Sequence, residues 1–143
     1  MKEALRVLVA ADGSEPARRA TLHVLHLAER GLSVEVHLLT VRPAVRGVAA
    51  SLVSAGDLKH YHREEGMKTL AESMQLVEAA GLKPHAHVCV GDSGKMILAF
   101  ARRLNCEQIV MGTRGLGPVT EMLLGSVARD VVGGASVPVT LVR

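Results

Sequence analysis

Aromatic side chains are nearly missing from this chain: one tyrosine, Tyr61, one phenylalanine, Phe100, and no tryptophan in 143 residues. A surface that stacks bases on aromatic rings is therefore excluded, and with it single-stranded nucleic-acid binding of the usual kind. The core must be built from Val, Leu, Ala, Ile and Met. Cysteine is equally scarce. Cys89 and Cys106 stand alone with no CxxC spacing, so no disulfide framework is present. No apolar run approaches the length that spans a membrane. The first such run, Val7 to Ala11, stops at Asp12 and is too short for a secretory signal. These absences give the expectation of a cytoplasmic protein with reduced thiols, no membrane and no nucleic-acid partner.

Charge says less. The formal net charge is +3, which suits an anionic ligand without identifying one. The basic residues are scattered, and the pairs Arg18-Arg19 and Arg102-Arg103 fall inside helical patterns, where they read as solvated faces. A length of 143 residues fits one domain, 1–143, with a sizeable core.

Short Val/Leu runs alternate with longer helical periods. Strands are expected at Leu5–Ala11, Ser33–Val41, His85–Val90, Gln108–Met111 and Val137–Val142. Between them, a helix follows Ser14 as N-cap and ends at Gly31. A long helix covers Asp57–Ala80, with Leu58, Met67, Leu70, Met74 and Val77 as its buried stripe. A third helix is capped by Ser93 and runs to Leu104. A fourth covers Leu124–Val132 and is closed by Gly133-Gly134. The segment Arg42–Gly56 is long for a connection, so it is either functional or holds a short helix. The order βαβαβαβαβ predicts an α/β fold. The expected sheet is doubly wound, five-stranded and parallel with helices on both faces, its strands taken in the order 3-2-1-4-5.

The strongest chemical signal is Gly112-Thr113-Arg114-Gly115, followed after nine residues by Gly125-Ser126. It lies between a strand and a helix. Glycines let backbone N–H groups approach an anion, and the helix N-terminus adds partial positive charge, so the segment reads as a phosphate cradle. The plainer reading is a loop whose glycines serve tight turns. Asp12-Gly13-Ser14 follows the first strand, and in the expected strand order both turns flank one crevice. The Asp12 carboxylate then suits a ribose hydroxyl, an adenine amino group or a Mg²⁺ beside phosphates. It equally suits turning the chain and capping the first helix.

Other motifs carry less. Gly91-Asp92-Ser93-Gly94-Lys95-Met96 fails as a P-loop, because Cys89 stands where the first glycine belongs and Met96 where the Ser/Thr belongs. His85, His87 and Cys89 share one strand face by alternation, but three in-line residues rarely converge on one metal. A half-exposed strand near the sheet edge explains them more simply. Ser14, Ser93 and Ser126 stand at helix starts, where capping is the default role, and none has a sequence-evident His–Asp partner.

Taken with these motifs, the chain resembles the universal stress protein family over essentially its whole length. The resemblance rests on Val7–Ser14, Leu38–Pro43, Gly91–Ser93, Ile109–Gly115 with Leu124–Val127, and Ser136–Val142. It implies a Rossmann-like fold, of the type shared with adenine nucleotide alpha hydrolases, that binds ATP or another adenine nucleotide. In that implied site Asp12 contacts ribose or adenine and Val41 meets the adenine ring. Met111 and Gly112 lie under the ribose and first phosphate. Gly115, Gly125 and Ser126 hold the later phosphates, and Val127 adds a backbone donor. Mg²⁺ accompanies a triphosphate, with Asp12 as its candidate protein ligand. The family role implied is a stress-response sensor or regulator with a regulatory protein partner. It is a homodimer formed through the C-terminal strand 137–142, and no catalytic residue is assigned. The rival readings are a slow ATP hydrolase of the same fold, with weak ATPase activity at most, and a dimeric interaction module that no longer binds nucleotide.

The loop from Leu116 to Leu124 carries no base, one acid, Glu121, and Pro118, which has no N–H to donate. A carboxylate near a triphosphate repels it. Glu121→Lys is therefore expected to tighten ATP binding in a calorimetric titration; unchanged or weaker affinity removes the idea.

Overall fold

The computed structural model describes residues 3–45, 51–114 and 124–143. Gly115, Pro118 and Glu121 lie outside them, as does part of the segment Arg42–Gly56. Five strands and four helices alternate among the described residues: β1 (Leu5–Ala10), α1 (Glu15–Glu29), β2 (Val34–Arg42), α2 (Ala55–Ala79), β3 (Pro84–Val90), α3 (Ser93–Arg103), β4 (Gln108–Gly112), α4 (Ser126–Gly134) and β5 (Val139–Val142). The sheet is parallel throughout, in the order β3-β2-β1-β4-β5. The expected fold class is the one observed.

Alternation along the strands divides the core into two layers. Val7 and Val9 of β1, Val36 and Leu38 of β2 and Val110 of β4 pack under α1 and α2. Leu8, Leu39, Ile109 and Met111 face the other way and pack under α3 and α4. Nearly all of these side chains are fully buried, and none is aromatic. Ala17 and Ala20 bring α1 close to the sheet, and spacing of three and four carries its buried face through Thr21, Val24 and Leu25.

Ser14 caps α1 as expected, its Oγ accepting from the Ala17 N–H at 3.3 Å. Two helix readings need correction. The buried face of α2 is His62, Gly66, Leu70, Ser73 and Val77, with Leu58, Met67 and Met74 only half-buried. The helix lies too close to its neighbours for a stripe of large side chains. A Cβ on Gly66 would run into Val88, and the Ser73 hydroxyl meets the Thr21 hydroxyl of α1 at 3.0 Å. At α3 the cap is Asp92, whose carboxylate accepts from the Lys95 N–H at 3.0 Å. Ser93 is the first helical residue instead. No helix among the described residues is long and apolar enough to cross a membrane.

Candidate functional site

β1 feeds α1 on one face of the sheet, and its neighbour β4 feeds α4 on the other. Winding therefore reverses between β1 and β4, and the loops leaving their carboxyl ends part to leave a crevice. A cavity of about 330 Å³ occupies it, lined by Asp12, Val41, Met111, Gly112, Gly125, Ser126 and Val127 among others. Seven of the eight residues singled out in the sequence thus border one space. The eighth, Gly115, lies outside the described residues.

Each wall has a local cause. Gly13 takes φ +83°, a left-handed conformation that turns the chain sharply after Asp12. One Asp12 carboxylate oxygen accepts from the Ser14 N–H at 3.0 Å, so Asp12 does hold the turn. Its other oxygen has no partner among the described residues, and the side chain is exposed at the cavity. The turn-holding reading of Asp12 is thus observed, and its second oxygen stays open to the cavity. Gly112 ends β4 directly against α1: a Cβ there would sit 2.6 Å from Pro16 Cβ. The two ends of the glycine segment are tied together, the Gly125 N–H donating to the Thr113 carbonyl at 2.8 Å. The Thr113 N–H in turn donates to the Val142 carbonyl at 2.9 Å, which anchors the segment to β5.

That tie changes the role of Gly125. Its N–H is already used within the protein, so its contribution is the missing side chain. The donors lie one step on. Gly125 is the N-cap of α4 and supplies no side-chain cap. The first-turn N–H groups of Ser126, Val127 and Ala128 have no intrahelical acceptor, and all three residues line the cavity. An uncapped helix start that borders a crevice suits an anion. Asp12 faces it as the only acidic residue in the described lining, and Arg114 is the only basic one. Ser93 borders the cavity as well. Capping logic assigned that serine to a helix end and so missed its position.

The histidines on β3 gather elsewhere, with a partner the strand alternation did not reveal. His37 of β2 is in register with His85 and stacks on both His85 and His87, centroids 4.8 and 5.2 Å apart. Its Nδ1 lies 3.0 Å from His87 Nε2, and its Nε2 lies 2.9 Å from the Glu35 carboxylate. Among the described residues, no three His, Cys, Asp or Glu side chains are placed to hold a metal ion. The cluster is a hydrogen-bonded imidazole stack. Burial, and then the nearby His37, His85 and Arg103, hold His87 below the usual imidazole range. The hydrogen bond from His37 outweighs the opposing effect of burial and, with the smaller effects of the His37 and Arg6 charges, holds Glu35 below the usual carboxylate range.

Both groups bind fewer protons folded than unfolded, so acid favours the unfolded chain. Their stabilisation is complete above the ordinary imidazole value of about 6.5. It falls as His87, and at lower pH Glu35, must take up protons. Thermal midpoints are expected to hold from pH 8 down to about 6.5 and to fall from there to pH 4, and His87→Gln should flatten the upper part of the fall. An unchanged slope in that variant would show that other groups carry the acid response.

The sequence profile described as the Universal stress protein family matches residues 4–143. Universal stress protein MJ0531 of Methanocaldococcus jannaschii is 29% identical over 139 residues, covering 96% of this chain and 81% of its own length. The solved structure of hypothetical protein MJ0577 from the same organism superposes with a TM-score of 0.82 at 28% identity, covering 96% of this chain and 94% of the other. A universal stress protein of Archaeoglobus fulgidus, solved in complex with dAMP, superposes with a TM-score of 0.68 at 25% identity and covers 100% of both chains.

Proposed function

The chain belongs to the universal stress protein family, and from that premise we propose that it binds an adenine nucleotide and acts as a stress-response sensor or regulator. The observation that carries this reading is the uncapped start of α4 facing the Asp12 carboxylate across one cavity. Phosphates take the N–H groups of Ser126 and Val127 and the Ser126 hydroxyl. Met111 and Gly112 lie under the ribose, and the free Asp12 oxygen accepts from a ribose hydroxyl. Val41 borders the adenine. The family resemblance adds Gly115 to the phosphate contacts. A triphosphate would arrive with Mg²⁺, and Asp12 is the carboxylate in the described lining able to join its coordination. The dAMP complex of the Archaeoglobus relative supports the nucleotide class. The described lining holds no histidine and no second carboxylate to position a water, which favours binding over hydrolysis.

The protein works as a homodimer in the cytoplasm in this reading. β5 is an edge strand with one side unpaired, and such an edge needs cover. Pairing with its copy in a second subunit supplies a two-fold interface. Cys89 and Cys106 are both free thiols, as a reducing compartment requires. A monomer mass by light scattering at micromolar concentration would overturn the dimer.

Thermal unfolding with ATP, ADP, AMP, cyclic AMP and GTP tests the nucleotide reading. A ligand at a hundred times its dissociation constant adds about 2.7 kcal/mol. Adenine nucleotides should raise the midpoint and GTP should not. Asp12→Ala should weaken binding by up to roughly tenfold, the worth of one hydrogen bond. No shift with any nucleotide, and none released from the heated protein by mass spectrometry, would leave the interaction-module reading in its place.

A further inference from the structure

The imidazole stack and the cavity between β1 and β4 are built on two shared elements. β2 carries His37 of the stack and Leu39 and Val41 of the cavity lining on one face, at spacing of two. α3 repeats the arrangement at spacing of three and four. Its Ser93 and Ile97 line the cavity, and its Phe100 meets the His87 ring with centroids 5.8 Å apart. Leu39, Val41, Ile97 and Phe100 all belong to the same core layer. Whatever sets the spacing of α3 from β2 and β3 at the stack therefore also bears on it at the cavity.

The stack is poor in negative charge. Among the described residues Glu35 is the carboxylate bonded to it, at His37 Nε2, and Glu35 is shared with Arg6 of β1 at 3.2 Å. The Glu107 carboxylate is turned to the Arg6 backbone N–H instead, at 3.1 Å. From the helix side Arg103 lies over the Phe100 ring, 5.6 Å from its centroid. Burial pushes the Cys89 thiol of β3 up, so it adds no charge. While the rings are neutral, Glu35 balances Arg6. Protonating His37, His85 and His87 sets three new positive charges beside Arg6 and Arg103, against that one carboxylate. We propose that the stack is an acid sensor for the nucleotide site: proton uptake by the imidazoles drives α3 away from β2 and β3, widens the cavity at Val41, Ser93 and Ile97, and weakens nucleotide binding. This regulation rests on the adenine-nucleotide reading given above. The closed arrangement binds fewer protons than the open one. Nucleotide affinity is therefore full above the ordinary imidazole value of about 6.5 and falls as the pH drops below it.

ATP is titrated by calorimetry at pH 7.5 and pH 5.5 into the wild-type protein and two variants. His85→Gln with His87→Gln leaves His37 paired with Glu35 and removes the excess charge. Both proteins should bind ATP alike at pH 7.5. At pH 5.5 the wild type should lose up to about tenfold more affinity than the double variant, the linkage expected when one imidazole takes its proton a full pH unit less readily in the closed form. Protonation of the ATP phosphates acts on both proteins alike and cancels in the ratio. Arg103→Gln, at an exposed position, removes the charge carried by α3. It should make the wild-type fall shallower, a result that stands even if the double variant folds poorly. Hydrogen exchange without ligand reads the opening itself. Protection of α3 should drop at pH 5.5 relative to α1, which packs on the other layer, in the wild type and not in the double variant. The same pH dependence of ATP affinity in all three proteins, or α3 protection that does not respond to acid, overturns the sensor and leaves nucleotide binding standing. ATP binding at neither pH overturns the nucleotide reading, and the sensor with it.

Discussion

Gly66→Ala is expected to cost about 2 kcal/mol of stability, although alanine is the better helix former by about 1 kcal/mol. The added Cβ would fall well inside contact distance of Val88 Cγ1 and 2.7 Å from Cγ2. Val88 is β-branched and stiff about χ1, so it cannot rotate away, and α2 and β3 must part. Overpacking of this kind typically costs about 1–3 kcal/mol, and a clash with two methyl groups belongs at the upper end. Val88→Ala removes both methyls and leaves only its Cβ, 3.1 Å from the new atom. In that background the same glycine replacement should be neutral or stabilising by up to about 1 kcal/mol. Urea denaturation of the four proteins in this double-mutant cycle measures the coupling. An equal penalty in both backgrounds would place the constraint elsewhere.

Gly66 also marks where sequence reading of this chain stops. The covered parallel sheet was legible because Val7–Val9, Leu38–Leu39 and Ile109–Met111 are apolar on both faces, and only a sheet covered by helices buries both. The grouping of seven candidate residues around one cavity was legible through two turns that strand order brings together. The buried face of α2 was not. Hydropathy ranks Met67 and Met74 above Gly66 and Ser73, yet closeness to β3 and α1 decides which face turns inward, and that closeness is a property of the neighbours. The imidazole stack was hidden for a related reason. Alternation paired His85 with His87, but His37 joins them only once β2 is known to lie in register beside β3. The engagement of Gly125 with Thr113 was equally invisible, because glycine in a motif does not say whether its N–H or its missing side chain is being used.

The same ambiguity at Gly112 leads to the second large effect. As a motif glycine it reads as a point of close approach to phosphate. In the structure it is also the point where β4 touches α1. A Cβ would meet Pro16 Cβ at 2.6 Å, and the Pro16 carbonyl carbon and Arg114 carbonyl oxygen at 3.1 Å. Two of those three atoms are backbone and the third is in a ring, so no side chain can swing aside. Gly112→Ala is therefore expected to lower stability by about 1–3 kcal/mol. The strain is relieved only by moving α1 or the glycine segment, and these carry Asp12 and the start of α4. The adenine-nucleotide shift in melting midpoint should vanish with it. Gly133→Ala is the control. It adds a Cβ to α4 with nothing within 4 Å, and should gain up to about 1 kcal/mol while leaving the nucleotide shift intact. Loss of stability with an unchanged nucleotide shift in Gly112→Ala would mean that the glycine serves the packing of α1 alone. Loss of both would tie the cradle to the junction on which it is built.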